Sequence, residues 1–61
     1  MLSTTKAYTY LGHSITVMES VMQVFYVVDN NLKKGYWSMA DAKRSISGQP
    51  VKFEAVDISD L

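Results

Sequence analysis

His13 is the only side chain in the 61 residues that ordinarily titrates near neutrality, so any acid–base chemistry would have to start there. A dyad with the adjacent Ser14 is disfavoured, because neighbours on a strand point to opposite faces. Asp29 stays open as a partner reached through space. Nowhere in the chain do a nucleophile, a base and an orienting group stand together. The carboxylates are scattered as singles, and Gly12, Gly35 and Gly48 are too far apart to form a phosphate-cradling loop. With no cysteine and a single histidine, neither a thiolate site nor a metal cluster can be assembled. No catalytic, metal or cofactor residue is assigned, no small-molecule substrate is indicated, and the chain reads as non-enzymatic.

Two kinds of binding chemistry remain. Lys33, Lys34, Lys43 and Arg44, with Tyr36 and Trp37 close in sequence, would make a basic, aromatic patch suited to nucleic acid. Five of the six basic residues lie between Lys33 and Lys52 against Asp41 alone, while Glu54, Asp57 and Asp60 make the last stretch acidic. Taken whole, the charges cancel, so no global field draws in DNA or an anionic membrane. The second chemistry is apolar. Residues 24–28 read Val-Phe-Tyr-Val-Val, greasy on both faces of a strand.

Local signals place these residues on elements. Ser38 can accept from the N–H three residues on, where Asp41 can reach back and also suits the positive start of a helix. The helix therefore begins at Met39, carries Lys43 and Arg44 in its second half, closes on a left-handed Gly48, and cannot pass Pro50. Its inward stripe is Met39, Ala42 and Ile46, and Trp37 before the cap is expected to staple helix to sheet from the core. Met18, Met22 and Met39 read as adaptable core filler.

Upstream, Tyr8 and Tyr10 alternate as in an edge strand, and Gly12 suggests a bulge or bend. Residues 14–28 have two readings. Ile15, Met18, Met22 and Phe25 recur at helical spacing, but the density of branched and aromatic side chains favours two strands joined near Glu19 and Ser20. Asp29-Asn30-Asn31 is a turn leading into a strand over residues 33–37, with Gly35 as a candidate bulge. Val51, Phe53 and Ala55 alternate with Lys52, Glu54 and Val56 and predict a half-buried last strand. Residues 1–6 and 57–61 are expected to be flexible ends, with Ile58 the single packing signal there.

The expected fold is one α+β domain over residues 1–61. It has a small antiparallel sheet of three to four strands with one helix on one face, in the order β-β-β-α-β. A chain this short buries only ~60% of the surface its unfolded form exposes, and without disulfides it depends on good packing or oligomerisation. One helix shelters one face, so the second strand should leave apolar surface bare. The residues expected to bind a partner are Val24, Tyr26 and Val28 on that face and Tyr8 and Tyr10 on the edge. A homodimer or another protein would cover them. No signal-peptide core is present, and the longest apolar run is broken by Glu19 and Gln23 and too short to cross a bilayer. A cytoplasmic protein without a membrane partner is expected.

Three stretches carry a resemblance: Tyr10-x-Gly12-His13-x-Ile15, then Tyr26-x-Val28, then Ser38-x-x-Asp41-Ala42-Lys43-Arg44-x-Ile46. Together they resemble small uncharacterised bacterial and phage domains with a strand-strand-strand-helix plan. That likeness implies a non-enzymatic accessory product of a phage or mobile element, of the kind that inhibits or regulates host machinery. The element order is also similar to the arm-binding domains of tyrosine integrases, which lay their sheet in the major groove. It implies the alternative function, a small DNA-binding protein using the basic hairpin and helix end, although the row of Arg or Lys at alternate strand positions is absent here.

Overall fold

A computed structural model describes residues 2–61. Leu11 (φ 49°) and Gly12 (φ 81°) both adopt positive φ and reverse the chain in two residues, a turn whose twist matches the strands it joins. It links β1, Ser3–Tyr10, to β2, His13–Glu19. Of the two expectations at Gly12, a bulge or a bend, the structure shows the bend, as the pivot of a hairpin. The bulge lies earlier. Thr4 pairs with Met18 and Lys6 with Val17, so Thr5 is the extra residue, and its hydroxyl donates to the Val17 carbonyl at 3.2 Å. That insertion turns Thr4 and Lys6 to opposite faces of the sheet.

Residues 14–28 are two strands, as the branched residues predict. The turn between them is wider than expected. Ser20 N–H donates to the Gln23 carbonyl at 2.8 Å, Val21 and Met22 project at the tip, and β3 begins only at Val24 (Val24–Val28). Asp29 (φ 51°) and Asn30 (φ 58°) then turn the chain as their types predict, toward a short β4, Gly35–Tyr36. The four strands form one antiparallel sheet in the order β1-β2-β3-β4.

Helix α1, Met39–Ser47, follows its expected punctuation. Ser38 Oγ accepts from Asp41 N–H at 3.1 Å, and Gly48 sits at φ 74° with its N–H on the Arg44 carbonyl. The helix packs over β3 and β4, where Met39, Ala42 and Ile46 meet Ile15, Tyr36, Tyr26 and Val28. Trp37 differs from expectation. Its side chain is 40% exposed and rests on Phe25, ring centroids 5.1 Å apart, on the face away from the helix.

The largest correction concerns the segment after the helix. Residues 51–56 do not form a strand; Val56 alone bridges Gly35, with N–H donors both ways at 2.7 and 3.0 Å. The cause is Asp41. Its carboxylate does not reach back to the cap but takes the N–H groups of Lys52 (2.9 Å) and Phe53 (3.1 Å), bending the chain where the alternation predicted an extended run. From that bend the chain crosses to the far face. There Ile58, 1% exposed, packs with Phe25 and Val27 and donates its N–H to Leu32 at 2.8 Å. The chain's own C-terminal segment therefore seals the Phe25 and Val27 face of β3, and Val24, Tyr26 and Val28, expected on the face away from the helix, lie on the helix side instead.

Ser3 to Lys6 belong to β1, and residues 57–61 include a core residue; Met1 lies outside the described residues. Gly35 is not a bulge but a contact point, where an added Cβ would stand 3.0 Å from Ile58 Cγ2. Gly35→Ala is expected to cost about 1–3 kcal/mol by overpacking, read as a lowered thermal midpoint with unchanged helix content.

Candidate interaction surface

The register sorts the sheet into two faces. Lys6, Tyr8 and Tyr10 of β1 pair with Val17, Ile15 and His13 of β2, and Val17 in turn pairs with Tyr26 of β3. Paired residues share a face, so these side chains all lie on the helix side. The helix covers only the β3 and β4 end of that face. What it leaves open is a groove of ≈ 530 Å³, floored by Tyr8, Tyr10, Val17 and Tyr26 and walled by Met39 and Lys43.

Its charge is one-sided. Lys43 Nζ lies 5.1 Å from the Tyr10 ring centroid and Lys6 Nζ 5.5 Å from that of Tyr8. Such cation–π contacts contribute about 0.5–1 kcal/mol at exposed sites and hold the ammonium groups over the groove. No carboxylate lines it, and among the described residues neither lysine forms an ion pair. No hydrogen bond from the hydroxyls of Tyr8, Tyr10 or Tyr26 occurs among these residues either.

Beside the groove runs the outer edge of β1. Seven of its eight residues are exposed, and the strand pairs on one side only. At the opposite end of the sheet the Val56 bridge occupies the free side of Gly35, so the backbone groups left for a partner are those of β1.

The residues expected from sequence to bind a partner divide accordingly. Tyr8, Tyr10 and Tyr26 come together in the groove. Val28 packs against the helix-side core, and Val24 stands 40% exposed opposite Glu19, outside it. Of the four basic residues, Lys43 joins the groove, Arg44 donates to Asp41 Oδ1 at 2.7 Å, and Lys33 and Lys34 lie in the connection to β4. Sequence reasoning missed Lys6, Val17 and Met39. The spacing Lys6-x-Tyr8-x-Tyr10 already carries one of them, had the strand been extended into the polar residues before Tyr8.

His13 does find Asp29. Nδ1 lies 2.6 Å from Oδ2, and Ser14 offers the same carboxylate its backbone N–H at 3.1 Å and not its hydroxyl. The His13 hydrogen bond first, and the Ser14 N–H second, hold the Asp29 carboxyl below its usual range. The pair ties the start of β2 to the end of β3. No group of three or more metal-ligating side chains occurs among the described residues, and no helix among them is long and apolar enough to cross a membrane. Comparison with protein-family models, with curated proteins and with solved structures found no match for this chain.

Proposed function

We propose that this chain is a non-enzymatic protein-interaction module that works through the outer edge of β1 and the tyrosine-lined groove beside it. The observation that carries this reading is the pairing of β1 on one side only, next to a groove whose aromatic floor the helix leaves uncovered. An open edge supplies backbone hydrogen bonds to an added strand, and the neighbouring side chains supply selectivity. Tyrosine suits such a surface because it offers broad apolar contact and a polar tip at low conformational cost. An accessory role that holds or regulates another protein, or a second copy, fits that design. Nucleic-acid binding through Lys33, Lys34, Lys43 and Arg44 is the competing reading.

A photo-crosslinking residue placed at Tyr8 tests it in the cells that make the protein, with the same residue at Leu11 as an exposed control. Protein adducts are expected at position 8 and not at 11, and their mass separates a second 6.9 kDa copy from another protein. Equal labelling at both positions would count against the surface. Adducts to nucleic acid would favour the competing reading.

A further inference from the structure

We infer that the groove takes an acidic, extended peptide segment, added antiparallel or parallel to β1 with its carboxylates between Lys6 and Lys43; this rests on the interaction reading above and names the partner's chemistry. An extended segment is implied by the free edge. β1 spans eight residues, so a paired strand of that length runs about 25 Å at ~3.3 Å per residue, past the whole groove. Side chains of such a strand alternate, and every second one stands on the helix side, beside Lys6, Tyr8 and Tyr10. Carboxylates at those positions meet two ammonium groups that lack an acidic partner of their own, above aromatic rings that exclude water from one side.

Other occupants fit this geometry less well. A second copy would present its own β1, whose sequence Ser-Thr-Thr-Lys-Ala-Tyr-Thr-Tyr contains a lysine and no carboxylate, so self-pairing brings like charges together. A nucleic acid would find two lysines in the groove and a third basic residue, Arg44, already engaged by Asp41. The backbone edge, moreover, rewards an amide ladder that a sugar-phosphate chain cannot form.

The test is an NMR titration of the intact chain with a blocked peptide of alternating valine and glutamate, as long as β1. The probes beside it are its valine–lysine counterpart, a valine–glutamate peptide N-methylated along its backbone, a short DNA duplex and a concentration series without ligand. The expected result is movement of the Ser3–Tyr10 amides together with Val17, Tyr26 and Lys43. Binding of the acidic peptide should be at least about tenfold tighter than that of the lysine peptide and should be lost on N-methylation. Lys6→Glu with Lys43→Glu should reverse the preference, and Lys6→Gln with Lys43→Gln should abolish it; a retained dispersed spectrum shows that either pair still folds.

Equal binding of both peptides at β1 overturns the acidic assignment while leaving the interaction surface standing. Concentration-dependent shifts at β1 alone assign the edge to a second copy, and tighter binding of the duplex assigns the groove to nucleic acid. Still β1 amides under every probe would remove both the inference and the reading beneath it.

Discussion

Asp41→Asn is expected to lower the thermal midpoint by roughly 10 °C or more. The carboxylate is fully buried, and both oxygens are engaged: Oδ1 by Arg44 Nη1 and Lys52 N–H, Oδ2 by Phe53 N–H. An amide supplies one acceptor oxygen where two are used, and its NH₂ group would face a donor. A buried N–H then goes unpaired in either orientation. Because that carboxylate bends residues 52–53 toward the far face, loss of amide-exchange protection should spread along residues 52–58 before it reaches β2.

The same group sets the acid limb of stability. The Lys52 N–H, then the Arg44 guanidinium and the Phe53 N–H, hold the Asp41 carboxyl below its ordinary 3.8 against the opposing effect of burial. A carboxyl depressed in the folded state contributes stability that is complete above the unfolded value and lost as pH falls through the folded one. Melting temperature should therefore decline below about pH 4, with a shallower decline in Asp41→Asn. Some decline should persist in the variant. Asp29, bonded by His13, and Asp57, bonded first by the Ser59 side chain, are depressed in the same direction.

Ile58→Ala is expected to cost about 2–5 kcal/mol, as large-to-small changes at fully buried sites do. A chain of this length holds roughly 3–9 kcal/mol in all, so the variant should lose a large fraction of its stability, measured by urea denaturation. Ile58 is the residue that seals Phe25 and Val27. Its truncation should also raise the binding of a hydrophobic dye, since the second face of β3 is then uncovered. Ile58→Val should cost less than the alanine change and should relieve part of the strain of Gly35→Ala, because the Cδ1 methyl it lacks is one of the three atoms crowding that position. Full retention of stability by Ile58→Ala would mean that the far face is closed by something other than this side chain.

The parts of this fold that could be read from sequence are those written in a few consecutive residues. Ser38, Asp41 and Gly48 bracket the helix because caps act within one turn, and Asp29-Asn30 turns the chain because those types accept positive φ on their own. The apolar character of β3 on both faces was equally plain. What covers the second face was not. Ile58 is a solitary apolar residue among polar ones, and the device that delivers it is a bond from Asp41 to backbone N–H groups eleven and twelve positions on. Backbone donors have no letter in the sequence. The alternation of residues 51–56 pointed to a strand for the same reason, since pattern shows which side chains could share a face but not which carboxylate has bent the chain.

The candidate surface was half legible. Tyr8 and Tyr10 declare an edge by their spacing, and Tyr26 declares itself as a strand residue of uncertain face. The groove that unites them depends on where a short helix stops along the sheet. Lys6 shares the face of Tyr8 by plain strand alternation, since the Thr5 insertion lies before it. Of the expected apolar set Val24, Tyr26 and Val28, the helix side buries Val28 in its core and leaves Tyr26 in a groove that is aromatic and basic.

Trp37 offers one practical consequence. It is the sole indole in the chain, and it lies against Phe25 on the sealed side, whereas three of the four tyrosines line the groove on the other. Ultraviolet emission excited selectively from the indole therefore follows the closure of one layer, and phenol emission follows occupancy of the opposite one. Events on the two sides of the sheet can thus be distinguished optically in the unlabelled molecule.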